Sequence, residues 1–326
     1  MSTSESPEVT PKKSNRIGKI LLFGIAIACF YYIYTQLDGA ASKEDKTLIE
    51  FMLGVLSTIE WVPWLLMMTG YCLFYFSIDT LIITKALNWF IKDTKYTDIL
   101  PIRASAYIIS MFNEQIGKGA MAFYLNRRDR VPGWEVTSLM LFIMFCEIFY
   151  LLVWATIGLA IGGQDLPQDL SEKFGLVKYI AIGGAIFFIL WVFFFRGPLF
   201  QNNRIRNLEI FHAFRLAKLK HYGAFFLLRS PLLIAAVFVY STALGFFGVP
   251  VSSMTLLALL PVIFFAATVP TPMRAAAITS WIVLFPDNPG EIAAFGFLQH
   301  NFFILFNAVI GLMFLPRANK ELFGDQ

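Results

Sequence analysis

The sequence predicts an all-α polytopic membrane protein with six full spans plus two re-entrant helical hairpins arranged as an inverted repeat. Three observations carry this. The 326 residues are 57% hydrophobic and only 15% charged, against about a quarter charged in soluble chains, and the missing charge leaves apolar runs of about 20 residues, enough to cross a ~30 Å hydrocarbon core. Two further apolar runs are broken: Pro101 to Tyr124 by Asn113, Glu114, Gln115, Gly117, Lys118 and Gly119, and Thr255 to Phe285 by Val269-Pro-Thr-Pro-Met-Arg274. Basic residues concentrate in alternate connections, which assigns those connections to the cytoplasm.

The first 16 residues are polar, with Pro7, Pro11, Lys12, Lys13 and Arg16, and read as a disordered cytoplasmic tail. The apolar run that follows reaches Leu37. It is longer than a signal-peptide core and has no small-residue cleavage site, so a retained helix is expected. Continuous spans read as Ile17 to Leu37, Pro63 to Leu87, Glu135 to Ile161, Leu176 to Phe195, Tyr222 to Phe247 and Glu291 to Leu315. Cys29, Cys72 and Cys146 all fall inside apolar segments, as packing thiols do.

The basic segments contain Lys85, Lys92, Lys95 and Arg103; then Arg127, Arg128 and Arg130; then the stretch from Arg196 to Arg229. Asp38 to Glu60 and Gly163 to Lys178 lean acidic and face outward. Basic residues on both sides of the first broken run make it a hairpin, residues 101–125, that enters and leaves on the cytoplasmic side. The second broken run, residues 254–286, begins and ends outside, since span six must return Arg317 and Lys320 to the cytoplasm. Residues 17–162 and 163–318 are then two membrane repeats of opposite direction, followed by a cytoplasmic tail at 319–326. Such paired broken segments mark transport sites, because backbone that leaves the helix within lipid must be covered by protein or line a wet cavity.

The hairpin tips supply the candidate substrate-binding residues: Asn113, Glu114, Gly117 and Lys118 in the first, Thr271 and Arg274 in the second. Freed backbone N-H groups and the two cations suit an anionic head group such as a phosphate. The alternative keeps Lys118 at the surface and Arg274 on a nearby carboxylate or on carbonyls. Glu147, about 18 Å into its span at ~1.5 Å per residue, sits near the bilayer centre, where an ionisable group is costly. It is expected to pair with Arg274 or Lys118, or to exchange a proton; the alternative is a protonated carboxyl or a structural ion pair. His300 and Asn301 lie in the last span opposite the second hairpin, with Asn307 on no obvious common face. Asp79 reads as an interfacial pair, and Glu114 as the partner of Lys118 four residues on.

Arg204 to Lys220 (RIRNLEIFHAFRLAKLK) reads as a basic amphipathic helix on the cytoplasmic leaflet, and Thr47 to Thr58 as a second interfacial helix. Tryptophans 61, 64, 89 and 134 read as interfacial belt residues. No Gly-rich phosphate loop, histidine pair at metal spacing or nucleophile elbow occurs, so no catalytic residue, metal or cofactor is expected.

From Asn113 to Leu152 the stretch NEQIGKGAMAFYLNRRDRVPGWEVTSLMLFIMFCEIFYLL runs from a polar glycine-containing turn through an arginine-bearing segment and short loop to a helix with a central glutamate. It resembles the lysylphosphatidylglycerol synthase-type transmembrane (flippase-like) family, with Gly117, Arg127 and Glu147 in matching places. Leu259 to Phe285, LLPVIFFAATVPTPMRAAAITSWIVLF, is similar to that family's second signature, a Pro-Gly-rich turn entering a short helix, with Pro272 and Arg274 in corresponding positions. The chain departs from the pattern at Lys118, where the family usually has a glutamate, and at Met273 and Ala275, where it has glycines. Ala275 to Ala277 also lack the glutamate that follows the family's arginine. The resemblance covers nearly all of the chain after Met52 and implies a flippase-like membrane domain. It carries no expectation of lysyl-lipid synthesis, because these residues hold no counterpart of the soluble lysyl-transferring domain.

The expected function is therefore translocation of an anionic lipid or lipid-linked intermediate by a non-enzymatic integral membrane protein. The membrane expected is a prokaryotic cytoplasmic (inner) one, with both termini cytoplasmic. Expected partners are membrane lipids with anionic head groups, and a second copy or a lipid-synthesis enzyme, but no nucleic acid. The alternatives are a secondary transporter of a small anionic solute and a non-transporting partner of a lipid-modifying enzyme.

Overall fold

The computed structural model describes residues 16–111, 114–163, 166 and 168–324. The tail expected to be disordered and the Asn113 position lie outside them. In order the helices are α1 (Arg16–Lys43), α2 (Leu48–Ser57), α3 (Trp61–Phe90), α4 (Tyr96–Ser110), α5 (Glu114–Asp129), α6 (Gly133–Gly162), α7 (Gln168–Arg196), α8 (His212–Leu216), α9 (Leu219–Phe246), α10 (Ser253–Ala266), α11 (Ala275–Leu284) and α12 (Pro289–Phe323). Among the described residues there is no strand. Six of these helices, α1, α3, α6, α7, α9 and α12, are long and apolar enough to cross a membrane. The chain is an all-α integral membrane protein.

Each expected span is found, as a helix two to ten residues longer overall than the apolar run alone suggested. The extensions come from polar turns such as Gly133-Trp-Glu135, which continue a helix once its first turn is paired. Apart from Phe195, which is buried, the apolar stretch Gly175–Arg196 in α7 is exposed or half-exposed, so much of that helix presents apolar side chains outward, as a lipid-facing span does. At the opposite extreme, the centre of the bundle holds Trp64, Trp281, Phe142 and Phe295, all fully buried.

The short helices lie between long ones. Helix α4 runs along α12, α10 runs along α6, α3 crosses α9, and α5 and α11 pack on α6 and α12 respectively. Small residues permit the two closest approaches. A Cβ on Gly158 or Gly162 of α6 would stand 2.2 or 2.3 Å from the carbonyl oxygens of Leu257 and Met254 of α10. On Gly311 of α12 it would stand 2.5 Å from the Ala104 carbonyl of α4. Backbones can meet this closely only where no side chain intervenes, the packing mode favoured where lipid offers no hydrophobic drive between helices.

Four expectations are corrected. Arg204 to Lys220 is not one amphipathic helix: it forms turns, a 3-10 turn at Glu209–Phe211, then α8, and α9 starts only at Leu219. Asn203 Oδ1 accepts from the Ile205 N-H, Arg206 donates to the Gly197 carbonyl, and Arg215 donates to the Arg206 and Leu208 carbonyls. Polar side chains that satisfy local backbone in this way compete with the helix. Trp64 is fully buried against Phe302 and is no belt residue. Arg103 and Arg229, counted above as loop charges, lie inside the bundle in ion pairs and say nothing about loop orientation. Asp79 is not interfacial; it is 5% exposed and sits among them. The interfacial helix expected over Thr47 to Thr58 is present as α2, closed by a reciprocal cap between Thr47 and Glu50.

Candidate functional site

Two breaks in the helices open the centre. Helix α10 ends at Ala266, and Pro270 and Pro272 keep the chain from continuing it, since neither has an N-H to donate. A 3-10 turn, Pro272–Arg274, leads into α11, and Thr271 Oγ1 accepts from the Ala276 N-H at 3.0 Å to cap it. Met273 and Arg274 both take left-handed backbone, φ 52° and 54°. The first break lies between α4 and α5. Just past it, in the first turn of α5, Gly117 packs so closely on α4 that a Cβ would fall 1.9 Å from Ser110 Oγ. Of Glu114 and Lys118 only the helical backbone is described.

Two adjoining cavities meet at the second break, with volumes of about 150 Å³ and 230 Å³. Tyr75, Arg103, Thr268, Arg274 and Phe303 line both. The first also holds Glu147 and His300; the second holds Thr271. Four of the eight predicted residues, Arg274, Glu147, His300 and Thr271, are thereby brought together. Gly117 borders neither cavity, though its neighbour Ser110 lines the second.

The wall of the cavities contains an ion network that joins four helices. Arg229 of α9 donates to Asp79 Oδ1 of α3 at 2.8 Å and to Glu147 Oε1 of α6 at 2.7 Å. Its second nitrogen also reaches the Tyr75 hydroxyl at 3.2 Å. Arg103 of α4 donates to Asp79 Oδ2 at 2.5 Å, and the Tyr107 hydroxyl donates to the same oxygen at 3.1 Å. Two carboxylates and two guanidiniums cancel, so ions that would each be prohibitive alone are tolerated together. Glu147 therefore pairs with Arg229 rather than with Arg274 as expected; the side chain of Lys118 lies outside the described ones.

Arg274 stands apart from this network. Its guanidinium lies 5.6 Å from the centroid of the Phe303 ring, and it pairs with no carboxylate among the described side chains. Among the described side chains the cavity region is left with one unmatched cation, at the N-terminus of α11, where backbone N-H groups also lack helical partners.

Helix α12 supplies the facing polar stripe. Gln299, His300, Phe303 and Asn307 line the two cavities at spacings of three, four and seven residues, one face of a helix. Asn307, which the sequence placed on no common face, is on it; Asn301 turns away and donates to the Phe297 carbonyl. Asp79, Arg103, Arg229 and Gln299 were missed as site residues. Their signal was present but diluted: Arg103 lies within the first broken run and Arg229 within the expected span Tyr222 to Phe247, yet both end basic stretches, and only tertiary packing draws them onto Asp79. The three cysteines are unpaired, as expected of packing thiols. Compared with family models, curated proteins and solved structures, the chain finds no match.

Proposed function

We propose that this chain is a flippase-like carrier of an anionic lipid or lipid-linked intermediate, with the head group held at Arg274. The observation that carries this reading is the charge arithmetic of the cavities. Arg103 and Arg229 are neutralised by Asp79 and Glu147, while Arg274 keeps its charge, at a helix N-terminus, inside a protein centre where an uncompensated ion is costly. An anionic ligand supplies the missing partner.

On this reading α4 with α5 and α10 with α11 are re-entrant hairpins, and the halves form an inverted repeat. The packing supports it. Exchanging the halves turns the α4 contact on α12 into the α10 contact on α6, α5 on α6 into α11 on α12, and α1 on α12 into α7 on α6, all of which occur. The left-handed backbone at Met273 favours glycine, the residue the flippase-like family carries at that place, which supports the resemblance. Both termini lie in the cytoplasm, in a prokaryotic inner membrane.

Cavities of about 150 and 230 Å³ also suit a secondary transporter of a small anionic solute. Reconstitution into liposomes separates the two. Tail-labelled anionic phospholipids should cross faster than in empty liposomes, and Arg274→Ala should remove the excess. Lipid movement equal to that of empty liposomes, with uptake of a soluble anion, favours the solute reading. Cysteines at Leu100 and Asn126 should label from the same side; labelling from opposite sides overturns the hairpin.

A further inference from the structure

Three buried polar groups on the cavity-facing stripe of α12 have unmet hydrogen-bonding capacity. Gln299 is 1% exposed; its Nε2 donates to the Tyr240 hydroxyl, and its Oε1 has no partner. His300 and Asn307 are each 2% exposed, with no partner for His300 Nε2 or Asn307 Oδ1. Elsewhere in the site the polar groups are paired: Asp79 on both oxygens, Thr271 by the Ala276 N-H, Ser110 on the Ala106 carbonyl. Buried amide and imidazole atoms left unpaired are costly, and native proteins keep few of them.

The three are not scattered. Gln299 and His300 border the first cavity, Asn307 the second, and Arg274 over Phe303 lies between. Eight residues of helix separate Gln299 from Asn307, so the groups span about 12 Å along the axis. A bare phosphate at Arg274 reaches neither end. Nor can an ammonium satisfy the set, since it only donates and His300 Nε2 carries a proton in one tautomer. A hydroxyl both donates and accepts, and so satisfies an amide in either orientation and an imidazole in either tautomer.

The geometry points to a phosphoester that carries free hydroxyl groups, a polyol or sugar phosphate, as the ligand of these cavities. Its phosphate sits at Arg274 and its hydroxyls pair with Gln299, His300 and Asn307. This rests on the carrier reading above and adds to it the chemistry of the head group. A site built to bind hydroxyls rejects the analogue that lacks them, because its own polar groups are then stranded.

The test compares two tail-labelled lipids of equal charge in the same proteoliposomes: phosphatidylinositol, whose phosphodiester carries a polyol, and phosphatidylmethanol, whose phosphodiester carries none. Phosphatidylinositol should cross about tenfold faster, the size expected for one buried group left unpaired. Gln299→Met and Asn307→Leu, close in shape and apolar, should bring the ratio toward one. Equal wild-type rates, both abolished by Arg274→Ala, overturn the hydroxyl inference and leave the carrier standing. A ratio that survives both substitutions overturns the assignment to α12. Should neither variant fold, the wild-type ratio decides alone. A parallel arm measures uptake of glycerol 3-phosphate against inorganic phosphate; preference for the former without lipid movement keeps the hydroxyl chemistry and moves its source to a soluble ester. No movement of either lipid or either anion overturns inference and carrier together.

Discussion

Arg229 and Asp79, 150 residues apart in the chain, lie 2.8 Å from one another inside the bundle and tie α9 to α3. Because Asp79 also holds Arg103, one carboxylate neutralises parts of two guanidiniums. Asp79→Ala should strand Arg103, leave Arg229 with Glu147 alone, and cost about 3–5 kcal/mol, the range for breaking a buried pair by removing one partner. The measurement is the melting temperature of the detergent-solubilised protein, which should fall sharply. An unchanged value would mean that the network is solvated.

Arg274 should behave in the opposite way. It makes no ion pair with a described side chain, so Arg274→Ala should leave the melting temperature near that of the wild type while removing transport. A loss of stability comparable to that of Asp79→Ala would make Arg274 a structural residue.

Close helix contact predicts a third outcome. A methyl group on Gly158 or Gly311 has to displace backbone carbonyls 2.2 and 2.5 Å away. Gly158→Ala and Gly311→Ala should each cost about 1–3 kcal/mol, as overpacking does. Gly24→Ala, whose Cβ meets nothing within 4 Å, serves as the control.

A pH effect is expected at α2. The Thr47 backbone N-H, followed by its hydroxyl, holds the Glu50 carboxyl below the usual carboxylate range. A depressed folded value means that the cap contributes in full above the ordinary Glu pKa, about 4.3, and is lost as pH falls through the folded value. Protection of the first α2 amides against hydrogen exchange, corrected for intrinsic rate, should decline over that acid range. In Glu50→Gln it should be independent of pH.

Left-handed backbone at Met273 supplies the last prediction. A non-glycine residue there carries roughly 1–2 kcal/mol of strain. Met273→Gly should be tolerated or slightly stabilising, whereas Met273→Val should lower the melting temperature by several degrees.

The long spans were legible because hydrophobic length is a one-dimensional signal: about 20 apolar residues can only cross. So was the second break, since Pro270 and Pro272 act on their own backbone. The partners of charged residues were not legible. Glu147 was found through its depth along a single helix, but its link to Arg229 depends on how α6 and α9 are rotated against one another, which no local pattern encodes. Arg103 and Arg229 were misread for the same reason. Each closes a stretch counted as basic loop, and its burial comes from α3 alongside. The face of α12 that joins His300 to Asn307 was obscured because apolar residues surround that helix on every side.

The contact of α4 with α12 through Gly311 has a consequence for biogenesis. The segment that seats the first short helix is synthesised last, so residues 96–110 wait, incompletely housed, until the final span leaves the ribosome. Loss of the C-terminal helix should thus unsettle the N-terminal half. Conversely, a chain severed between α7 and α8 should recover its shape when both fragments are co-expressed, since each completes the other.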